Sequence, residues 1–127
     1  MKEQTYFIHY EKLWKITKEF NDRTTFRSNE VKGSTMDTVH LIFKMYEKML
    51  NGKSRYMSFD EAEIPVLKLV ASKIGKLTGY EGKTIKDHIT KIKRLNIILI
   101  NNQYYENHYT FKIPLKYFFT SSEVTYF

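Results

Sequence analysis

Lys83, Thr84, Lys86, Asp87, Thr90, Lys91 and Arg94 recur at intervals of three and four residues, so on a helix they share one face. Four cations against one acid, with two hydroxyls between them, is chemistry for a polyanion. Ammonium and guanidinium groups neutralise phosphates, and the same groups with hydroxyls reach base edges. The interleaved Ile85, Ile89, Ile92 and Leu95 are apolar, so their burial would turn the charged face outward. The plain alternative is a solvated lysine face kept for solubility. A second group lies downstream. Asn101, Asn102, Gln103, Tyr104, Tyr105, Asn107 and His108 are hydrogen-bonding side chains suited to phosphates or the minor groove, or else an ordinary polar hairpin tip.

Other residue types with catalytic potential do not assemble. His9, His40, His88 and His108 have no metal-ligand spacing and no carboxylate placed beside them as a proton relay. His88 borders the apolar stripe and reads as a packing residue. The chain has no cysteine, which removes thiolate chemistry and disulfides and agrees with a reducing cytosol. Gly79-Tyr80-Glu81-Gly82-Lys83-Thr84 contains Gly-Lys-Thr but lacks the spacing of a phosphate loop. Asp60, Glu61 and Glu63 are explained by a helix cap. Trp14, with Tyr6, Phe7 and Tyr10, reads as core or dimer surface rather than a base-stacking platform. The sequence therefore predicts a non-enzyme without cofactor or metal, and no small-molecule ligand.

Charge supports the first group. Of the net +7, residues 66–100 supply +6, from eight Lys/Arg against two Asp/Glu. A basic segment so concentrated attracts nucleic acid or an anionic surface. A length of 127 residues suits one domain, and 42% hydrophobic against 28% charged residues suits a folded one. No apolar run approaches the ~18 residues that span a bilayer, and the first residues do not resemble a signal peptide, so a cytoplasmic protein without membrane partners is expected. The bias toward Lys, Asn, Ile, Tyr and Phe is what an AT-rich genome writes.

The elements that must position these residues follow from period and punctuation. Thr5 to Tyr10 is rich in β-formers and predicts a strand, followed by Leu13, Trp14 and Ile16; residues 21–33 read as a loop or short extended pieces. Ser34, with Asp37 three residues on, offers an N-cap for a helix over 35–50 carrying Val39, Ile42, Phe43, Tyr46, Met49 and Leu50, and Asn51-Gly52 stops it. Residues 53–57 form a link that could pair as a strand, and Ser58 to Glu61 a second capping box. Pro65 opens the next predicted helix, with a stripe of Val66, Leu69, Val70, Ile74 and Leu77. Residues 78–82 break it. A third helix runs from Lys83 to about Leu95 and ends at Asn96, a residue type tolerant of left-handed backbone. Then the period falls to two: Ile97 to Ile100 is a strand, and Tyr109 to Ile113 its return, closed by Pro114. The tail has no clear period.

Two helices joined by a glycine turn and followed by a hairpin resemble a winged helix-turn-helix. Gly75-Lys76-Leu77-Thr78-Gly79-Tyr80 matches that superfamily's turn, with Gly75 where alanine is commoner. Thr84-Ile85 stands where a Thr-Val pair follows the turn glycine, and Ile92, Leu95, Asn96, Ile97 and Ile98 match the entry to the wing, with Asn96 replacing a glycine. Glu81 occupies the usual place of a capping Ser or Asp. The resemblance covers roughly residues 36–113. It implies an α+β winged helix with an added N-terminal strand segment: an extension over 1–33, a core over 34–113 and a tail over 114–127.

The resemblance also implies double-stranded DNA binding, with the third helix in the major groove and the wing beside it. The Tyr-Phe-Ile-His-Tyr run ahead of Trp14 resembles winged-helix domains of plasmid and phage replication proteins of low-GC bacteria, and small accessory proteins at conjugative transfer origins. Replication or conjugation is thus the first expectation, transcriptional repression the second, and a protein-interaction module that binds an acidic partner the third. The aromatics at both ends, Tyr6 to Trp14 and Tyr117 to Phe127, predict a homodimer surface.

Overall fold

A computed structural model describes residues 2–26, 29–52, 57–59, 64–102 and 108–125. In chain order these give β1 (Lys2–Ile8), α1 (Tyr10–Arg23), α2 (Ser34–Leu50), β2 (Met57–Phe59), β3 (Pro65–Val70), α3 (Ala71–Thr78), α4 (Gly82–Leu95), β4 (Leu99–Asn102), β5 (His108–Lys112), α5 (Leu115–Phe118) and β6 (Phe119–Thr125). The class is α+β. One antiparallel sheet has the order β2-β3-β5-β4, the other is the pair β1-β6.

The sequence reading of Pro65 to Leu77 as one helix is corrected. Its first half is strand β3, paired in register with β5 from Leu67↔Phe111 to Val70↔His108. Val66, Leu69 and Val70 fit a helical spacing, but Val66, Leu67 and Leu69 are all buried, and Leu67 is fully so. A short run with apolar residues at 66, 67, 69 and 70 around an exposed Lys68 fits either period, and periodicity alone cannot tell it from a helix. Pro65 is the first residue of the strand, where its missing N–H costs least. Ser58 and Phe59 sit in β2 rather than in a capping box, because β2 pairs with the start of β3; Asp60, Glu61 and Glu63 lie outside the described residues.

Smaller corrections have local causes. The first strand ends at Ile8, and Tyr10 already belongs to α1, whose N-cap is His9 with Nδ1 accepting from the Lys12 N–H at 3.3 Å. A helix from Tyr10 to Arg23 was not anticipated. Helix α2 begins at Ser34 with Gly33 as its cap, at φ 58°, so Ser34 does not cap it. Ile97 and Ile98 form a buried bend before β4, and Asn101 and Asn102 are strand rather than tip.

The core gathers α2, β3, α4 and β5 around Ile42, Phe43, Tyr46, Ile85 and Phe111, all without solvent exposure. The chain ends join it. β1 and β6 pair from Lys2↔Thr125 to Ile8↔Phe119. Phe43 meets Phe118 edge-on at 5.7 Å and stacks with Phe119 at 6.0 Å. The outer edge of β1 is tied to α2: Asn51 accepts from the Tyr6 N–H at 2.8 Å and donates to its carbonyl at 3.0 Å. Glu47 accepts from the Ile8 N–H at 2.9 Å. Phe118 and Phe119 therefore serve this chain's own core, while Phe7, Tyr10, Trp14 and Tyr117 remain exposed.

Candidate nucleic-acid interface

Helix α4 carries the site, and three features fix its position. Its apolar stripe is buried as the spacing predicts: Ile85, Ile89, Ile92 and Leu95 are at most 5% exposed. It is joined to α3 by a turn whose Gly79 is left-handed, at φ 85°, a conformation glycine adopts without strain. Its end is set by Asn96 at φ 59°, ψ 33°, the left-handed cap expected of that residue. Glu81 is the N-cap and its side chain makes no capping hydrogen bond.

A fourth tie was half visible in the sequence. His88 lies on the inner side of α4 and is 2% exposed. Thr38 Oγ1 is 2.7 Å from its Nδ1, and Ser34 Oγ 3.1 Å from its Nε2, so both ring nitrogens are used on α2. Tyr80 meets the ring edge-on at 5.3 Å, and its hydroxyl donates to Asp37 Oδ2 at 2.6 Å. That hydrogen bond is the main cause that raises the Tyr80 phenol above its ordinary value. Ser34 and Asp37, read in sequence as a cap, thus clamp α2 to α4 through His88 and to the α3–α4 turn through Tyr80.

Burial pushes the His88 imidazole below its usual 6.5, against weaker opposing pulls from Asp87 and Asp37. The unfolded chain then binds a proton more readily than the folded one. Stability is whole above about pH 6.5 and falls as pH drops from there toward the lower folded value. We expect the urea midpoint to decrease between pH 7 and 5, with part of that slope absent in His88→Gln. Equal slopes in the two proteins would contradict this role for the ring.

On the outer side, Lys83, Lys86, Asp87, Thr90 and Arg94 are exposed and Thr84 is half-buried. Lys91 departs from the expected open position. It is half-buried, and its Nζ lies 3.1 Å from Asp87 Oδ2, one turn back. The pair joins the face's one acid to one of its cations. Thr90 Oγ1 donates to the Lys86 carbonyl at 3.0 Å, so its hydroxyl proton is used within the helix. Arg94 donates to Asn29 Oδ1, so the segment after α1 reaches the C-terminal end of α4. Sequence reasoning missed Asn29, because the contact spans 65 residues and no local period announces it.

The wing candidates divide. Asn101, Asn102 and His108 are exposed on β4 and β5, with Lys93 Nζ 3.5 Å from Asn102 Oδ1. Gln103, Tyr104, Tyr105 and Asn107 lie outside the described residues. Among the described residues, no cluster of three His, Asp or Glu could hold a metal ion, and no helix is long and apolar enough to cross a membrane. No protein family model matches the chain, and no curated protein or solved structure matches it.

Proposed function

We propose that this chain is a winged helix-turn-helix protein that binds double-stranded DNA, with α4 as its reading helix. One observation carries the proposal. The order α2, β3, α3, α4, β4, β5 includes a sheet in which β5 lies between β3 and β4, and α4 packs on α2 and α3 with buried isoleucines inside and cations outside. A helix about 10–12 Å across fits the major groove of B-form DNA, and a two-stranded hairpin fits alongside it. Lys83, Lys86 and Arg94 supply phosphate contacts. Thr84 and Lys86, near the helix start, supply base contacts. Asp87 opposes the phosphate field unless Lys91 keeps it paired.

A role in plasmid or phage replication, or at a transfer origin, is the biology this reading favours, with transcriptional repression as its alternative. Selection of bound duplexes from a random pool tests the proposal. An enriched motif is expected, with affinity that falls steeply as salt rises. Palindromic half-sites would point to a repressor-like dimer and direct repeats to an origin array. No enrichment and no salt-dependent shift on any duplex would overturn DNA binding and leave the basic face to an acidic protein partner.

A further inference from the structure

A hollow of about 670 Å³ opens between α1 and the first half of α2. Leu13, Val31 and Met36 line it with apolar surface, and Trp14 stands over it, 64% exposed. Much of its polar lining is engaged within the chain, and the His40 ring meets Tyr10 edge-on at 6.4 Å. Thr17 donates to the Leu13 carbonyl at 2.8 Å, and the Asn21 amide both donates to and accepts from the Val31 backbone at 2.9 and 2.7 Å. Lys18 pairs with Asp22 at 3.1 Å and Lys32 with Glu30 at 2.6 Å. The hollow therefore presents an apolar interior and a charge-balanced rim.

We propose that a second copy of this chain docks here, α1 against α1, so that Trp14 of each copy fills the hollow of the other. Three features select this occupant. A two-fold contact needs one patch that is complementary to itself, and this patch holds both the projecting indole and the space for it. The rim pairs balance their own charges, whereas residues 66–100 hold +6 of the +7 and none of them lines the hollow. A second cationic chain is repelled from α4 and meets only a small net charge here, since α1 holds four Lys/Arg against three Asp/Glu. Third, an indole is the largest apolar side chain a protein offers, and at 64% exposure most of its surface is still to be covered.

The contact would also bear on the reading helix. Residues 29–34 touch α4 at both ends, Asn29 through Arg94 and Ser34 through His88, and their middle residues Val31 and Lys32 line the hollow. The partner's indole packs against the segment that braces α4, and no α4 residue lines the hollow it enters. The inference goes beyond DNA binding, and its test needs no DNA.

Trp14 is the chain's single tryptophan, so its fluorescence reports the contact directly. In the full chain, dilution series from 0.1 to about 100 µM should show emission moving to shorter wavelength and acrylamide quenching falling severalfold. Sedimentation should show the mass doubling from 15.3 kDa over the same range. Met36→Lys, which places a charge in the hollow and keeps the indole, should stay monomeric with a quenchable Trp14 and a native circular dichroism spectrum, at a thermal midpoint lowered by the loss of Met36 from the core edge. Trp14→Ala should be monomeric too. A wild-type monomer at 100 µM overturns the proposal, and so does a dimer whose Trp14 is quenched as readily as free indole. A concentration-independent blue shift in a monomer also overturns it, since something other than a second copy would then cover the ring.

Discussion

Gly75→Ala is expected to lower the thermal midpoint by about 5 °C or more, although alanine is the better helix former. Glycine inside a helix ordinarily costs ~0.5–1 kcal/mol relative to alanine. At position 75 a Cβ would lie 2.7 Å from the Tyr80 carbonyl oxygen, closer than real Cβ atoms approach. The obstacle is backbone, and it cannot swing aside. Tyr80 is anchored through its hydroxyl on Asp37, and the Gly79 N–H is bonded to the Gly75 carbonyl at 2.7 Å, so the turn folds tightly over this position. Overpacking of this kind costs ~1–3 kcal/mol. It exceeds the helix-propensity gain, and a domain of this size loses several degrees for each kcal/mol. Differential scanning calorimetry of the two proteins decides the sign. A midpoint raised by alanine would mean that α3 and the turn are not so close.

The same glycine shows how far the sequence could be read. Its pattern located the turn, since Gly79 is needed for a left-handed residue and Tyr80 for an apolar one, but the close approach that excludes alanine depends on the path of residues 79–80 in space. Helices α2 and α4 were legible because each keeps one apolar face for four turns. The outward set on α4 followed from that face, apart from Lys91, whose ion pair with Asp87 is local in sequence and could have been anticipated from the i, i+4 spacing. Strand β3 was not legible, because Val66 to Val70 is apolar at positions that serve both periods and only pairing with β5 decides between them. Helix α1 was hidden by the β-formers before it. The tail had no period because β6 is ordered by a partner at the opposite end of the chain, and the brace from Asn29 to Arg94 is non-local in the same way.

Lys83→Ala with Lys86→Ala is expected to weaken binding to all duplexes by roughly 10- to 100-fold near 0.1 M salt, and to flatten the salt dependence. Each phosphate contact contributes a slope of about −0.9 in log affinity against log salt, so the loss of two reduces it by nearly two units. Both side chains are exposed in the first turns of α4, where a reading helix enters the groove. Lys91→Ala is expected to move the slope by less than one unit, because its ammonium is shared with Asp87 and half-buried. Thr84→Ala should behave differently from both. It carries no charge, so the slope stays unchanged while discrimination between sites falls by about 1–3 kcal/mol if its hydroxyl contacts a base edge. Fluorescence anisotropy titrations on one selected and one scrambled duplex, at four salt concentrations, separate these outcomes. Unchanged affinity and slope in the double variant, with the fold intact by circular dichroism, would remove α4 as the DNA-binding element, because Lys83 and Lys86 are the exposed cations of its first turns.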